Sequence, residues 1–219
     1  MDKRRKDGGQ RTEDEGQKLI DRGPQVLSPK SRVKNKTMKE LSMHVYDLME
    51  NSTAANSTLV ELTIKDSLKD NIYAFTIKDN GKGMTPEFLA KVTDPWTTSR
   101  TTRKVGLGLP LIKMNTENCG GGMKIESEVG KGTVLNFWFQ HDHLDRPPMG
   151  DLAGSLVMLF SAHEDIHFIY THITDDGEFV FDTDEIKEAL DGMPMTDISI
   201  MKYLKEMIQE NLEEIHYND

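Results

Sequence analysis

The chain has 219 residues, 36% hydrophobic and 29% charged, with a formal net charge of -10, which fits a globular protein of one large domain or one domain with an appendix and excludes collagenous and disordered classes. No apolar run approaches the roughly 18 residues of a membrane span, the best being Leu156 to Phe160, and the basic Lys3 to Lys6 stretch has no apolar segment behind it to make a secretory signal, so a cytoplasmic protein is expected. The single Cys119 excludes an internal disulfide and any thiolate zinc cluster.

Residues 1–36 carry 11 Lys/Arg against 6 Asp/Glu and are expected to be a flexible basic arm or an expression remnant. Thr37 followed by Glu40 reads as a capping box, and Met38, Leu41, Val45, Leu48 and Met49 recur at helical spacing, which predicts a helix over 38–54. Opposite its apolar stripe, Glu40, His44, Asp47 and Asn51 share one polar face. Val60, Leu62 and Ile64, then Tyr73, Phe75 and Ile77, alternate with polar residues and predict two strands. The second runs into DNGKGM at Asp79 to Met84, where glycines flanking one residue permit a turn that a flat ligand can approach closely.

Thr85 and Pro86 read as the cap and first position of a short helix, and Pro110 opens another ending at Gly120 and Gly121. Between them TTSRTTRKVGLGLP, Thr97 to Pro110, offers Arg103, Lys104 and glycine amides before a helix N-terminus, the parts of a phosphate cradle. Residues 123–128 and 133–139 predict a hairpin about Gly130 to Gly132. The order helix, strand, strand, helix, loop, helix, strand, strand suits an α+β fold, with helices on one face of a mixed, mostly antiparallel sheet.

Residues 141–219 carry 4 basic and 19 acidic groups, which phosphate backbones would repel, so nucleic acid is not expected as a partner. A helix over 150–162, strands over 166–173 and 178–181, a helix over 184–190 and a last helix over 197–215 with apolar Leu204, Met207, Ile208 and Leu212 predict a small α+β module. Within it His163, Glu164 and His167 spell HExxH, the signature of a zinc hydrolase. Against that reading, Ile166, Phe168 and Tyr170 alternate as in a strand, which would aim the two histidines differently.

Asn51 in LMENS, DNGKGM, GLGLP and GKGT at Gly130 to Thr133 together resemble, in order and spacing, the four nucleotide-binding boxes of the ATPase superfamily shared by gyrase B, ninety-kilodalton heat-shock chaperones, sensor histidine kinases and MutL. The resemblance covers about 37–140, so the expected organisation is 1–36 arm, 37–140 histidine-kinase-like ATP-binding domain of two-layer Bergerat type, and 141–219 acidic C-terminal module. It implies ATP and Mg²⁺ as cofactors. Asn51 would hold the metal, Asp79 would accept from the adenine amino group, Gly81, Gly83 and Met84 would shape the base pocket, and Thr133 would support the adenine end. Thr98, Arg103, Lys104, Gly106, Leu107 and Gly108 would contact the phosphates from a lid over about 94–105 and the loop after it. Asp47 and Lys104 would be the catalytic pair; Asp47 stands four before Asn51, where ATPase branches of the superfamily place a longer Glu.

The GLGLP form of the loop resembles that of standalone bacterial histidine-kinase-like ATPases, a class that includes anti-sigma-factor serine kinases. The implied function is phosphoryl transfer or ATP hydrolysis in bacterial signalling, with a protein partner or phosphoacceptor, a homodimer left open and no membrane contact. His44 is expected on the pocket side and not as a phosphoacceptor. The alternatives are a non-catalytic ATP-operated switch that docks a partner, and the zinc hydrolase at HEDIH.

Overall fold

The computed structural model describes residues 40–93 and 108–217. In chain order its elements are α1 (Leu41–Thr53), β1 (Leu59–Ser67), β2 (Ile72–Asp79), α2 (Pro86–Leu89), α3 (Gly108–Asn118), β3 (Gly122–Glu128) and β4 (Gly132–Gln140), followed by α4 (Leu152–Ala162), β5 (His167–Ile173), β6 (Glu178–Asp182), α5 (Thr183–Ala189) and α6 (Ile198–Glu214). One six-stranded sheet of order β3-β4-β2-β1-β5-β6 runs through the described residues. All its pairings are antiparallel except β1 with β5. The α+β class and the mixed, mostly antiparallel sheet are therefore as the sequence predicts.

Alternation in the strands decides which sheet face is covered. Val60, Leu62 and Ile64 of β1 align with Tyr73, Phe75 and Ile77 of β2, Leu135, Phe137 and Phe139 of β4, and Phe168 and Tyr170 of β5; all are buried. Thr63, Thr76 and Asn136 between them stand on the opposite, half-exposed face. Phe75 and Phe137 stack with ring centroids 4.6 Å apart. The apolar stripes of α1 (Leu41, Val45, Leu48, Met49), α4 (Leu152, Leu156, Val157, Phe160) and α6 (Leu204, Ile208, Leu212) close over this face as one layer.

The boundary expected at residue 140 falls within this sheet. β5 joins the free edge of β1 over seven register pairs, from Leu59 with His167 to Lys65 with Ile173, and α4 packs along α1. α1 also begins later than predicted. Its N-cap is Glu40, with no side-chain cap, and Thr37 lies outside the described residues. The first-turn amides of Leu41 and Ser42 instead donate to the carbonyls of Pro148 and Met149 at 2.9 and 2.8 Å, so a chain segment a hundred residues away caps the helix. Gly150, predicted inside α4, precedes it with φ 73°, and Asp151 caps α4 by accepting from the Gly154 amide at 3.0 Å. No helix among the described residues is long and apolar enough to cross a membrane.

At the end of the sheet far from Asp79, His172 is wholly buried, and burial lowers its pKa from 6.5 to about 3. Tyr170, whose hydroxyl burial pushes well above its usual range, stays protonated and shares a hydrogen bond of 2.6 Å between its Oη and His172 Nδ1. His172 Nε2 has no hydrogen-bond partner among the described residues. With a depressed folded-state pKa, the unfolded chain takes up a proton between about pH 6.5 and 3 that the folded chain refuses. Stability should fall as pH falls through that window and should not depend on this group above it. Urea unfolding should show His172→Gln losing about 2 kcal/mol less than wild type between pH 6.5 and 4.5. Parallel pH profiles would mean another group carries the linkage.

Candidate nucleotide-binding site

Asp79 is the last residue of β2, facing Val60 of β1 on one side and Thr133 of β4 on the other, and is 8% exposed. A buried carboxylate needs donors, and it has two from different elements. The Ser52 hydroxyl of α1 donates to Oδ2 at 3.0 Å, and the Gly81 amide donates to Oδ1 at 2.9 Å. Lys82 N donates to the Ala55 carbonyl just past α1 at 2.9 Å, so the loop after β2 is tied to the end of that helix.

The DNGKGM and GKGT segments are one structure. Gly83 has φ 63°, and a β-carbon there would stand 2.0 Å from the Glu128 carbonyl oxygen; Gly132 has φ 100°, with a β-carbon 1.9 Å from the Asp79 carbonyl oxygen. No L side chain fits either place, and these two glycines let the loop after β2 and the β3–β4 turn close on each other. The Gly130 amide donates to the Lys82 carbonyl at 2.9 Å across the same junction.

Ser127 of β3 joins the predicted Met84 and Thr133. Its Oγ accepts from Met84 N at 2.9 Å, donates to the Gly132 carbonyl at 2.9 Å and lies 3.0 Å from Thr133 Oγ1. A carbonyl only accepts, so the one Ser127 proton goes to Gly132 and Thr133 donates to Ser127. Thr133 therefore offers a ligand lone pairs and no free proton. A depression of about 300 Å³ is lined here by Asp79, Ser127, Gly132 and Thr133 with Lys78 and Val134. Since Lys78 and Val134 stand on the face away from the helices, it flanks the Asp79–Thr133 pair from outside and is distinct from the α1 side.

The polar face predicted on α1 divides. Asp47 and Asn51, one turn apart, are exposed; His44 is buried at 3% exposure, and Glu40 lies against Gly150. Tyr46 next to Asp47 has its hydroxyl pKa raised, first by burial and then by Glu50 and Asp47, so it stays a donor at neutral pH. Gly108, half-buried, is the first residue of α3; a β-carbon on it would lie 3.9 Å from Leu48 Cδ2, which places the end of GLGLP beside α1. Asn51, Asp79, Gly81, Gly83, Met84, Gly108 and Thr133 thus fall on α1, α3 and the β2 and β3–β4 turns around one end of the sheet. Thr98, Arg103, Lys104, Gly106 and Leu107, with the expected lid over 94–105, lie outside the described residues. Sequence reasoning missed Ser52, Ser127 and Asn80. The Asn80 side chain accepts from Thr58 N at 2.8 Å and Leu59 N at 3.0 Å, pinning the start of β1 to this turn.

The HEDIH segment does not form a helical ligand pair. α4 ends at Ala162, His163 is its C-cap, and His167 opens β5. His163 Nε2 lies 3.0 Å from Glu50 Oε1 of α1, His167 Nε2 lies 2.8 Å from Asp182 Oδ1, and Glu164 accepts from Thr196 N at 3.1 Å. The three side chains of the signature serve three different contacts. The alternation of Ile166, Phe168 and Tyr170 overrides the helical period, because Phe168 and Tyr170 fill the core.

Residues 38–143 match the family model described as histidine kinase-, DNA gyrase B-, and HSP90-like ATPase. The chain is 33% identical over 111 residues to sensor protein SrrB of Staphylococcus aureus, covering 48% of this chain and 19% of that protein. It is also 33% identical over 103 residues to a sensor protein of Shewanella frigidimarina, covering 46% of this chain and 16% of that one. The chain thus spans less than a fifth of these relatives. Among solved structures, the N-terminal domain of a DNA repair protein aligns at 18% identity and TM-score 0.47 over 64% of this chain and 51% of that one, and the Aquifex aeolicus MutL ATPase domain complexed with ADP at 19% and 0.41 over 68% of each. Over residues 38–143 the chain is thus similar to the histidine kinase-, DNA gyrase B-, and HSP90-like ATPase family.

Proposed function

We propose that this chain binds ATP with Mg²⁺ and transfers or hydrolyses its terminal phosphoryl group in bacterial signalling. The observation that carries the reading is Asp79, a buried carboxylate held by Ser52 and Gly81 at a strand end and facing Thr133. Such a group recognises an exocyclic amino group by a charge-assisted hydrogen bond. Asn51, exposed on the flank of α1, presents an uncharged hard oxygen that suits an oxygen-seeking divalent cation. Magnesium held there would offset phosphate charge. Asp47 on the same flank would accept a proton from water or an acceptor hydroxyl, with Lys104 as the partner charge. The sensor-protein relatives support signalling, in which the acceptor would sit on a partner protein or a second copy. Being one methylene shorter than Glu, Asp47 also favours a second reading, in which nucleotide binding works as a switch with little turnover.

Calorimetric titration with Mg·ATP tests the base assignment. Loss of a charge-assisted hydrogen bond is worth roughly 1.5 to 3 kcal/mol, so Asp79→Ala should weaken ATP about tenfold to a hundredfold. Equal affinity of variant and wild type would sink the adenine assignment.

A further inference from the structure

Ser52 follows Asn51 on α1 and turns about 100° further round the helix, so it points inward while Asn51 stays exposed. It is 5% exposed, and its hydroxyl meets Asp79 Oδ2 at 3.0 Å. A carboxylate held by one donor still rotates, since the terminal torsion of Asp has a broad profile. Gly81 N fixes Oδ1 from the loop, and only Ser52 among these contacts fixes Oδ2 from the helix. Two donors from two elements set the plane of the carboxylate and leave its remaining lone pairs facing outward.

We infer that Ser52 is a positioning residue for base selection: it orients Asp79, so that α1 supplies Asn51 for the phosphate end of the nucleotide and, through the next residue, the alignment of the group that reads the base. This inference rests on the reading of Asp79 as the adenine acceptor. An ionised carboxylate only accepts, so its orientation rewards the amino group of adenine and repels the carbonyl oxygen at the same position of hypoxanthine. Ser52 should therefore govern the preference for ATP over inosine triphosphate and not triphosphate binding in general.

The test is titration of the full chain with Mg·ATP and Mg·ITP for wild type, Ser52→Ala and Asp79→Ala. Alanine is smaller and a better helix former than serine, so the variant should keep its fold. Losing one hydrogen bond to an already placed acceptor should reduce the ATP affinity of Ser52→Ala about three- to tenfold, with ITP affinity unchanged within about twofold. Parallel losses for both nucleotides would show that Ser52 acts through the fold of α1, and unchanged ATP affinity would show that Gly81 alone suffices; either overturns the inference. If Asp79→Ala keeps the wild-type preference for ATP, the adenine reading itself fails. If Asp79→Ala loses the preference and Ser52→Ala does not, only the role of Ser52 is wrong.

Discussion

A chain ending at residue 143, where the ATPase-family segment stops, should lose its cooperative fold. The cut removes β5 and α4 from β1 and α1, and about half of the buried apolar side chains among the described residues lie beyond it, including Phe160, Phe168, Tyr170 and Leu204. Each large apolar side chain contributes roughly 1.5 to 3 kcal/mol by burial, while a domain's whole stability is about 5 to 15 kcal/mol, so losing even six of them exceeds the margin. The cut also strips the amides of Leu41 and Ser42 of the Pro148 and Met149 carbonyls and leaves β1 as an open edge over the seven pairs it makes with β5. An unpaired edge of that length invites aggregation. Size-exclusion chromatography and thermal melting by circular dichroism should show residues 1–143 aggregated or without a cooperative transition, where the full chain is well behaved. A monomeric 1–143 chain that melts cooperatively and binds ATP as the full chain does would show that β5 and α4 are dispensable.

The same contacts explain what the sequence made legible. Strand alternation gave β1, β2 and β5, because one face of the sheet is covered and the other is not, and the burial of Val60, Leu62 and Ile64 follows directly; β3 and β4 came from the hairpin signal at Gly130 to Gly132. The Thr85 cap was legible because its partner, the Phe88 amide, is three residues away. The start of α1 was not, since its capping carbonyls come from Pro148 and Met149, and no local pattern encodes a partner that distant. Alternation marks β5 as a strand but does not say that its neighbour is β1, a parallel pairing set by the crossover through α4. The letters of HExxH fit a helix, but the strand alternation set against that reading is what the structure follows: the helix ends at Ala162, and Phe168 and Tyr170 fill the core. In the site, Gly83 was legible because the backbone turn there demands a glycine, while Asp79 was legible only through the resemblance of DNGKGM to a nucleotide-binding box. Ser52 was not, because its role exists only where α1 crosses the end of β2.

Asp47 and Asn51 should separate chemistry from binding, although they share the exposed flank of α1 one turn apart. Asn51→Ala removes the proposed metal oxygen and should weaken Mg·ATP while leaving metal-free nucleotide binding nearly unchanged, a difference that titration in the presence and absence of Mg²⁺ reads directly. Asp47→Asn keeps the size and hydrogen-bonding capacity of the side chain but removes its ability to take a proton. Neither change touches the Asp79 pocket, whose contacts run through Ser52, Gly81 and the β3–β4 turn. A general base contributes about 10²- to 10⁴-fold, so Asp47→Asn should leave Mg·ATP affinity intact and lower phosphoryl release or transfer by that factor. A carboxylate must come within about 3 Å of the proton it abstracts, and the short reach of Asp sets a strict condition on where the nucleophile stands. Lengthening the side chain by one methylene, Asp47→Glu, should therefore change turnover and not affinity. A wild-type rate in Asp47→Asn would remove the base from this position and favour a histidine acceptor, whose nitrogen is already nucleophilic near neutral pH. If wild type binds Mg·ATP but shows no turnover, alone or with cell extract supplying acceptors, nucleotide binding operates a switch.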